Sequence, residues 1–236
     1  MNAIVIIPTY NEAENIHRLV SSLLSLNIPY LSLLIVDDNS PDGTGTLAES
    51  LAKKHDGLVR VIHRKSKLGL GTAYIEGFQQ AIKLGADVVV EMDADFSHNP
   101  KYIPIMLEQI LEYDIVVASR YTSGGQADTN WGILRILLSR LGNIYASLIT
   151  GVKVKDSTSG FKAIRTSVIE SLHFDSFTCN GFAFQVEMAY KCERKGFRIL
   201  EIPIMFTDRE NGSSKINSKI IIEALIKIPL MRWRHS

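Results

Sequence analysis

The sequence predicts an α/β fold in which a mostly parallel sheet is flanked by helices. Three observations carry this. Segments of helical periodicity alternate with short aliphatic runs along the chain. The runs, AIVII, LLIV, DVVV and DIVV among them, are apolar at consecutive positions, as strands covered on both faces are. Each run then ends in a cluster of polar residues, the place where open α/β sheets bind ligands.

Ala3 to Tyr10 forms the first strand. Asn11 and Glu14 have the spacing of a capping box, and Ile16, Leu19, Val20, Leu23 and Leu24 follow at helical intervals. LSLLIVDD is the second strand and TLAESLAKKH the second helix. LVRVIHR is the third strand, and the third helix runs from Thr72 to Leu84, closed by Gly85. DVVVEMD is the fourth strand. Asn99 then caps a helix with Pro100 at its first position and Pro104 near its first turn. YDIVVASR is the fifth strand, and Trp131 to Thr150 a long helical pattern. FKAIR is a short strand, Phe182 to Lys195 a helix stopped by Gly196, and FRILEIPIMF a last strand.

Composition narrows the class. The chain has 236 residues, 46% of them hydrophobic, enough for one large domain over 1–210 with a basic loop and amphipathic segment over 211–236. Twenty-six basic residues face 25 acidic ones, so no global field marks a nucleic-acid partner. Cys179 and Cys192 alone argue against a disulfide framework and for a reducing setting. The start, MNAIVIIPTYNE, lacks a basic leader and reads as a strand rather than a signal peptide. No uninterrupted apolar run reaches the ~18 residues of a membrane-spanning helix.

EMDADFSHNP poses the sharpest chemical question. Glu91, Asp93 and Asp95 alternate, so on a strand they share one face. Carboxylates that close repel unless something positive stands between them.

Five segments, IPTYNEAENI, LIVDDNSPDGT, RKSKLGLGTAYIEGF, MDADFSHNP and DSTSGFKAIR, resemble in their order the family 2 glycosyltransferases of the GT-A fold. Within that family they are most similar to the polyprenyl-phosphate (dolichol-phosphate) mannosyltransferase branch, and the resemblance runs from Ala3 to Lys215. It implies a GDP-mannose donor, a polyprenyl phosphate acceptor, a divalent cation (Mg²⁺ or Mn²⁺) and inversion at the anomeric carbon.

The same resemblance distributes roles. Pro8, Tyr10 and Glu12 would shape the base and ribose pocket, although Glu12 also suits a helix N-terminus by charge alone. Val36 and Asp38, beside Asp37, would meet the nucleoside, with Asp42 supporting the turn. Asp93, Ala94 and Asp95 form the DxD stretch. Asp95 is the expected direct metal ligand. Asp93 would face the ribose, the sugar hydroxyls or a metal-bound water, and both could instead cap the following turn. A hard divalent ion bridging phosphates needs few protein carboxylates. Ser97 stands where the family often carries an amide. Arg120, Arg135 and Ser139 would hold the acceptor phosphate, arginine being permanently charged and forked; for Arg135, Ser139 and Arg140 a solvated helix face is the alternative. Arg209 and Lys215 would close over the diphosphate or form a basic surface loop. Asp95, Arg120, Arg209 and Lys215 are thus the expected catalytic set. Asp156, Thr158 and Ser159 would order the acceptor side.

Several residues stay open. Gly69-Leu70-Gly71 lacks the spacing of a dinucleotide fingerprint, and Lys67 beside it meets either phosphate or water. His98 could contact phosphate, orient Asp95 or be structural. Glu91, inside its strand, needs a partner.

A lipid acceptor requires access to a bilayer. WGILRILLSRLGNIYASLIT and INSKIIIEALIKIPLMRWRHS both carry an apolar body, basic residues and tryptophan, as interfacial helices do, or are core helices. The expectation is a peripheral enzyme on the cytoplasmic face of a membrane, resting on the surface itself or on small membrane-anchoring subunits. Glucose transfer from UDP-glucose, transfer to a glycan hydroxyl, and a non-catalytic nucleotide-sugar sensor are the alternatives.

Overall fold

A computed structural model describes residues 1–128, 133–179, 181–207 and 218–234. Its strands are β1 (Ala3–Thr9), β2 (Leu31–Asp37), β3 (Val59–His63), β4 (Val88–Glu91), β5 (Ile115–Ser119), β6 (Gln126–Ala127), β7 (Lys162–Arg165), β8 (Ile199–Pro203) and β9 (Met205–Phe206). Its helices are α1 (Ala13–Leu24), α2 (Thr44–Lys54), α3 (Leu70–Lys83), α4 (Ile103–Gln109), α5 (Ile133–Thr150), α6 (Thr166–Ser171), α7 (Gly181–Arg194) and α8 (Ser218–Arg234).

Seven strands form one sheet in the order β3-β2-β1-β4-β7-β5-β8. Pairing is parallel except where β7 runs antiparallel between β4 and β5. The order turns back at β1, with β2 on one side and β4 on the other, and this is where an open α/β sheet leaves a crevice at its carboxyl edge. The register brings the strand ends level: Thr9 pairs with Asp37, and Asp37 with His63.

Both faces are covered, as the unbroken aliphatic runs require. Ile7, Leu33, Val90 and Ile103 belong to the core on one side; Ile6, Val36, Val89 and Phe78 belong to that on the other. Each such side chain contributes about 1.5–3 kcal/mol through its removal from water. α3 approaches the sheet closely at Gly77, where a Cβ would lie 2.5 Å from Ile6 Cγ2.

Several expectations change. The Asn11–Glu14 capping box does not form: α1 has no side-chain cap, and Asn11 adopts a φ of 58°. The incoming turn serves instead, with the Ala13 amide donating to Asp42 Oδ2 and the Glu12 amide to Thr44 Oγ1. FRILEIPIMF is not one strand; it divides at Ile204 into β8, paired with β5, and β9, paired with β6. FKAIR is a strand as expected, and it lies inside the sheet as β7, antiparallel between β4 and β5. α3 begins at Leu70 rather than Thr72. The Asn99 cap does form, its Oδ1 accepting from the Lys101 amide ahead of a 3-10 turn over Pro100–Tyr102, and α4 follows with Pro104 in its first turn.

Cys179 and Cys192 are free and buried, and burial pushes both thiols up to about 12. α8 packs against α5 and α7. Tyr145 Oη donates to Leu225 O, and Ile228 and Met231 are buried.

Candidate active site

Three neighbouring strand ends each turn through a left-handed residue: Asn11 after β1, Asn39 after β2 and Phe96 after β4, with φ of 58°, 57° and 62°. Asparagine tolerates this region, whereas a phenylalanine there is strained. Such strain gathers at ligand sites.

Two aspartates at the end of β2 divide the labour. Asp37 accepts from Thr9 Oγ1 at 3.1 Å and from Ser40 Oγ at 2.6 Å, which fixes the turn. Asp38 is buried against Arg64, whose Nη1 donates to it. Burial raises the Asp38 carboxyl, and the Arg64 charge counters that shift. Arg64 also donates to Glu76 Oε2 at 3.0 Å and to Thr72 Oγ1 at 2.7 Å, so one guanidinium ties β2 to the start of α3. The sequence reading missed Arg64; its only signal was an arginine directly after the β3 run. Tyr10 lies under the Lys67 ammonium, 3.8 Å from ring centroid to Nζ. Glu12 Oε2 accepts from Asn15 Nδ2 at 2.9 Å. The Val36 and Ala94 side chains lie in the core, so only their backbones remain for a nucleoside or sugar.

Asp95 is buried, and its Oδ1 accepts from the Ser97 amide at 3.1 Å. The turn-capping reading of Asp95 is therefore realised in the fold, and it occupies one carboxylate oxygen. Asp93 Oδ1 lies beside Gly160, 3.8 Å from where a Cβ would stand. The Asp93 amide donates to His98 Nδ1 at 3.0 Å. That bond places the histidine proton on Nε2, and burial lowers its basicity further. Among the described residues no three His, Cys, Asp or Glu side chains form a metal cluster. The Asp93 and Asp95 carboxylates are hard oxygen donors, of the kind that fits Mg²⁺ or Mn²⁺ and does not fit a thiophilic metal.

Glu91 stands opposite Lys162 across the β4–β7 ladder, both fully buried. Lys162 Nζ donates to Gln185 Oε1 at 2.6 Å, while neither Glu91 oxygen has a hydrogen-bond partner among the described residues. Burial pushes the Glu91 carboxyl up to about 7 against the pull of Lys162. A carboxyl raised on folding stabilises below its unfolded value and loses that stability as pH rises through the folded one. Wild-type melting temperature is therefore expected to fall between pH 4.5 and about 7. Glu91→Gln should flatten that slope, removing up to about 3 kcal/mol of pH dependence. Parallel melting slopes for the two proteins would show that Glu91 does not titrate there.

The residues expected on the acceptor side converge in the fold. Arg120 grips buried Asp156 with Nε and Nη2 at 2.8 and 2.6 Å and reaches Thr158 Oγ1 at 2.9 Å. Asn143 Nδ2 donates to Thr158 Oγ1 at 3.0 Å, and Tyr121 Oη to Ser139 Oγ at 2.7 Å. Asn143 and Tyr121 were not singled out from sequence, where neither type nor spacing distinguishes them. Ser159 Oγ donates to Ala118 O, fixing the loop to β5. Ser139 lies on α5 inside this cluster, while Arg140 is exposed, its guanidinium 6.0 Å from the Tyr121 ring. The Arg135 side chain, Arg209 and Lys215 lie outside the described residues.

Residues 4–172 match the family described as Glycosyl transferase family 2. Over 99% of its length the chain is 40% identical to an undecaprenyl-phosphate mannosyltransferase of Micrococcus luteus, covering 94% of that protein. It is 41% identical over 95% of its length to a polyprenol monophosphomannose synthase of Mycolicibacterium smegmatis, covering 84% of that protein. Among solved structures it is similar to glucosyl-3-phosphoglycerate synthase of Mycobacterium tuberculosis in complex with Mn²⁺, UDP-glucose and phosphoglyceric acid. That match has a TM-score of 0.71 at 18% identity and covers 98% of this chain and 79% of the other, a likeness of fold.

Proposed function

The chain belongs to glycosyl transferase family 2, and from that premise we propose that it transfers mannose from GDP-mannose to a polyprenyl phosphate with inversion. The observation that supports this reading best is the meeting of two unlike half-sites at one sheet edge. Asp93 and Asp95 suit a cation-bearing diphosphate, and beside them Arg120, Thr158 and Ser139 suit a second anion. The relatives spanning nearly the whole chain are named for transfer of mannose to such lipids.

The chemistry is a single in-line displacement. An oxygen of the acceptor monophosphate forms a bond to the anomeric carbon, the bond from that carbon to the diphosphate breaks, and its electron pair leaves with GDP. The monophosphate is already anionic at neutral pH, so no general base is required. A bound divalent ion would supply Lewis-acid stabilisation of the departing diphosphate, with Asp95 as its ligand and Asp93 toward the sugar or a metal-bound water. Arg120 aligns the acceptor anion against the donor anion, Arg135 and Ser139 assist it, and Arg209 and Lys215 offset charge on the leaving group. Positioning and fixed charge then supply most of the acceleration.

Access to the lipid follows from two helix faces. Leu137, Leu141, Ile144 and Leu148 on α5, and Leu225, Ile226, Leu230 and Trp233 on α8, are exposed, and the two helices pack together. No described helix is long and apolar enough to cross a membrane. The pair fits a surface laid on the cytoplasmic leaflet, directly or through a small membrane-anchoring subunit. Leu141→Glu with Leu148→Glu should weaken binding to anionic vesicles at least ~10-fold, by loss of buried apolar area. Transfer to a short, water-soluble polyprenyl phosphate should be unchanged. Unaltered vesicle binding would remove these helices from the interface.

The reaction is tested with radiolabelled GDP-mannose and UDP-glucose, purified polyprenyl phosphate, and Mn²⁺ present or absent. Lipid-extractable label is expected from GDP-mannose alone and only with metal. Label that stays in the aqueous phase excludes the lipid acceptor. Label from UDP-glucose would make the chain a glucosyltransferase.

A further inference from the structure

His98 sits where the two half-sites touch. Its Nδ1 accepts the Asp93 amide at 3.0 Å, holding the backbone of the DxD turn. One face of the ring stacks on Phe161, with centroids 4.9 Å apart. Phe206 meets it edge-to-face at 5.7 Å. The Arg120 guanidinium, gripped by Asp156, lies over the same Phe206 ring at 5.1 Å. Phe206 is itself held to the DxD side, because the next residue, Thr207, donates from Oγ1 to Phe96 O at 2.9 Å. A continuous path therefore runs from Asp93 through His98 and Phe206 to Arg120. One end of it is a hydrogen bond and the rest is aromatic packing.

We propose that His98 is a positioning residue that holds the donor-side turn and Arg120 at a fixed separation. Its two functions are chemically separable. The nitrogen acceptor sets the Asp93 backbone, and hence the pair of carboxylates. The ring sets Phe206, and hence the guanidinium. A single in-line displacement between two anions demands both settings at once, since an error of about 1 Å in either can cost roughly 10²-fold in rate. Bulk packing by itself would not separate the two halves, which gives the inference its test.

His98→Asn keeps an oxygen where Nδ1 lies and removes the ring. His98→Phe keeps a ring and leaves the Asp93 amide without its acceptor. Binding of GDP with Mn²⁺ is measured by calorimetry, and turnover is measured at saturating GDP-mannose with polyprenyl phosphate varied. His98→Asn is expected to bind GDP and Mn²⁺ within about 2-fold of wild type. Its kcat should fall roughly 10–100-fold, and its KM for the lipid should rise. His98→Phe is expected to lose binding of GDP and Mn²⁺ by ~10-fold, as an unmet buried donor loosens the turn.

Phe206→Leu, which leaves His98 intact, should follow His98→Asn and serves if either histidine variant fails to fold. Equal losses in binding and turnover for both histidine variants, no loss in either, or the reverse order overturns the proposal. So does a Phe206→Leu enzyme that turns over like wild type. The inference rests on the transfer reaction proposed above. Wild-type binding and turnover in the same assays test that reaction, whereas the ratios of variant to wild type test His98.

Discussion

Asp95→Asn is expected to lower transfer roughly 10²–10³-fold, equivalent to about 3–4 kcal/mol of transition-state stabilisation. Asparagine retains an oxygen for the Ser97 amide, which now takes Asp95 Oδ1 at 3.1 Å. The turn should therefore survive, with melting temperature within a few degrees of wild type. What is lost is the charge that a hard divalent ion needs. Asp95→Ala should be no more active and less stable, because it also removes the turn cap. Steady-state transfer with Mn²⁺ raised to saturation separates a weak metal site from a missing one. If Asp95→Ala retains near wild-type transfer under saturating metal, the assignment of Asp95 as the metal ligand is wrong.

Arg120→Ala should give the second large effect, on stability and transfer together. Arg120 and Asp156 form a buried pair with side-chain exposures of 9% and 0%. Removing one partner leaves a carboxylate in the interior, at a cost of about 3–5 kcal/mol. In a chain of this size that corresponds to a melting temperature lower by roughly 10 °C. Removing both charges, as in Arg120→Leu with Asp156→Asn, should restore much of the stability, because no lone ion is then buried. Transfer should not return with it, since the proposed acceptor site has then lost its aligning guanidinium; the loss should stay near 10²-fold or more. The hydrogen bonds to Asp156 and Thr158 use Nε and Nη2, and among the described residues none uses Nη1, the edge proposed to meet the acceptor anion. Transfer that recovers in step with stability would reduce Arg120 to a structural residue. Thermal melts and lipid-extraction assays on the same preparations decide between the outcomes.

The carboxylates and the arginine of the candidate site were legible because their positions are marked locally. Asp93 and Asp95 lie two positions apart on a segment leaving an aliphatic strand, and the sequence alone shows that spacing. Arg120 was visible for the same reason, directly after the β5 run. Its pairing with Asp156 was not. Asp156 lies 36 residues away, and no periodicity links the two. Arg64 escaped notice because a basic residue after a strand is ordinary until Asp38, 26 positions earlier, is seen against it. The Asn11–Glu14 pair failed as a cap for a related reason: Asp42 and Thr44 reached the helix start first, from a turn that sequence distance hides.

The fold class, the order of strands and helices along most of the chain, the carboxylate pair and the family resemblance were determined by the sequence alone. Each depends on neighbours a few residues apart, where side-chain period and backbone propensity act. The insertion of β7 between β4 and β5, the grip of Asp156 on Arg120, and the junction of Asp93, His98 and Phe206 were decided only by tertiary structure. A short strand carries no mark of which neighbours it will pair with. A buried ion or ring is positioned by whichever group meets its hydrogen bonds and excludes water, and that group can come from anywhere in the chain.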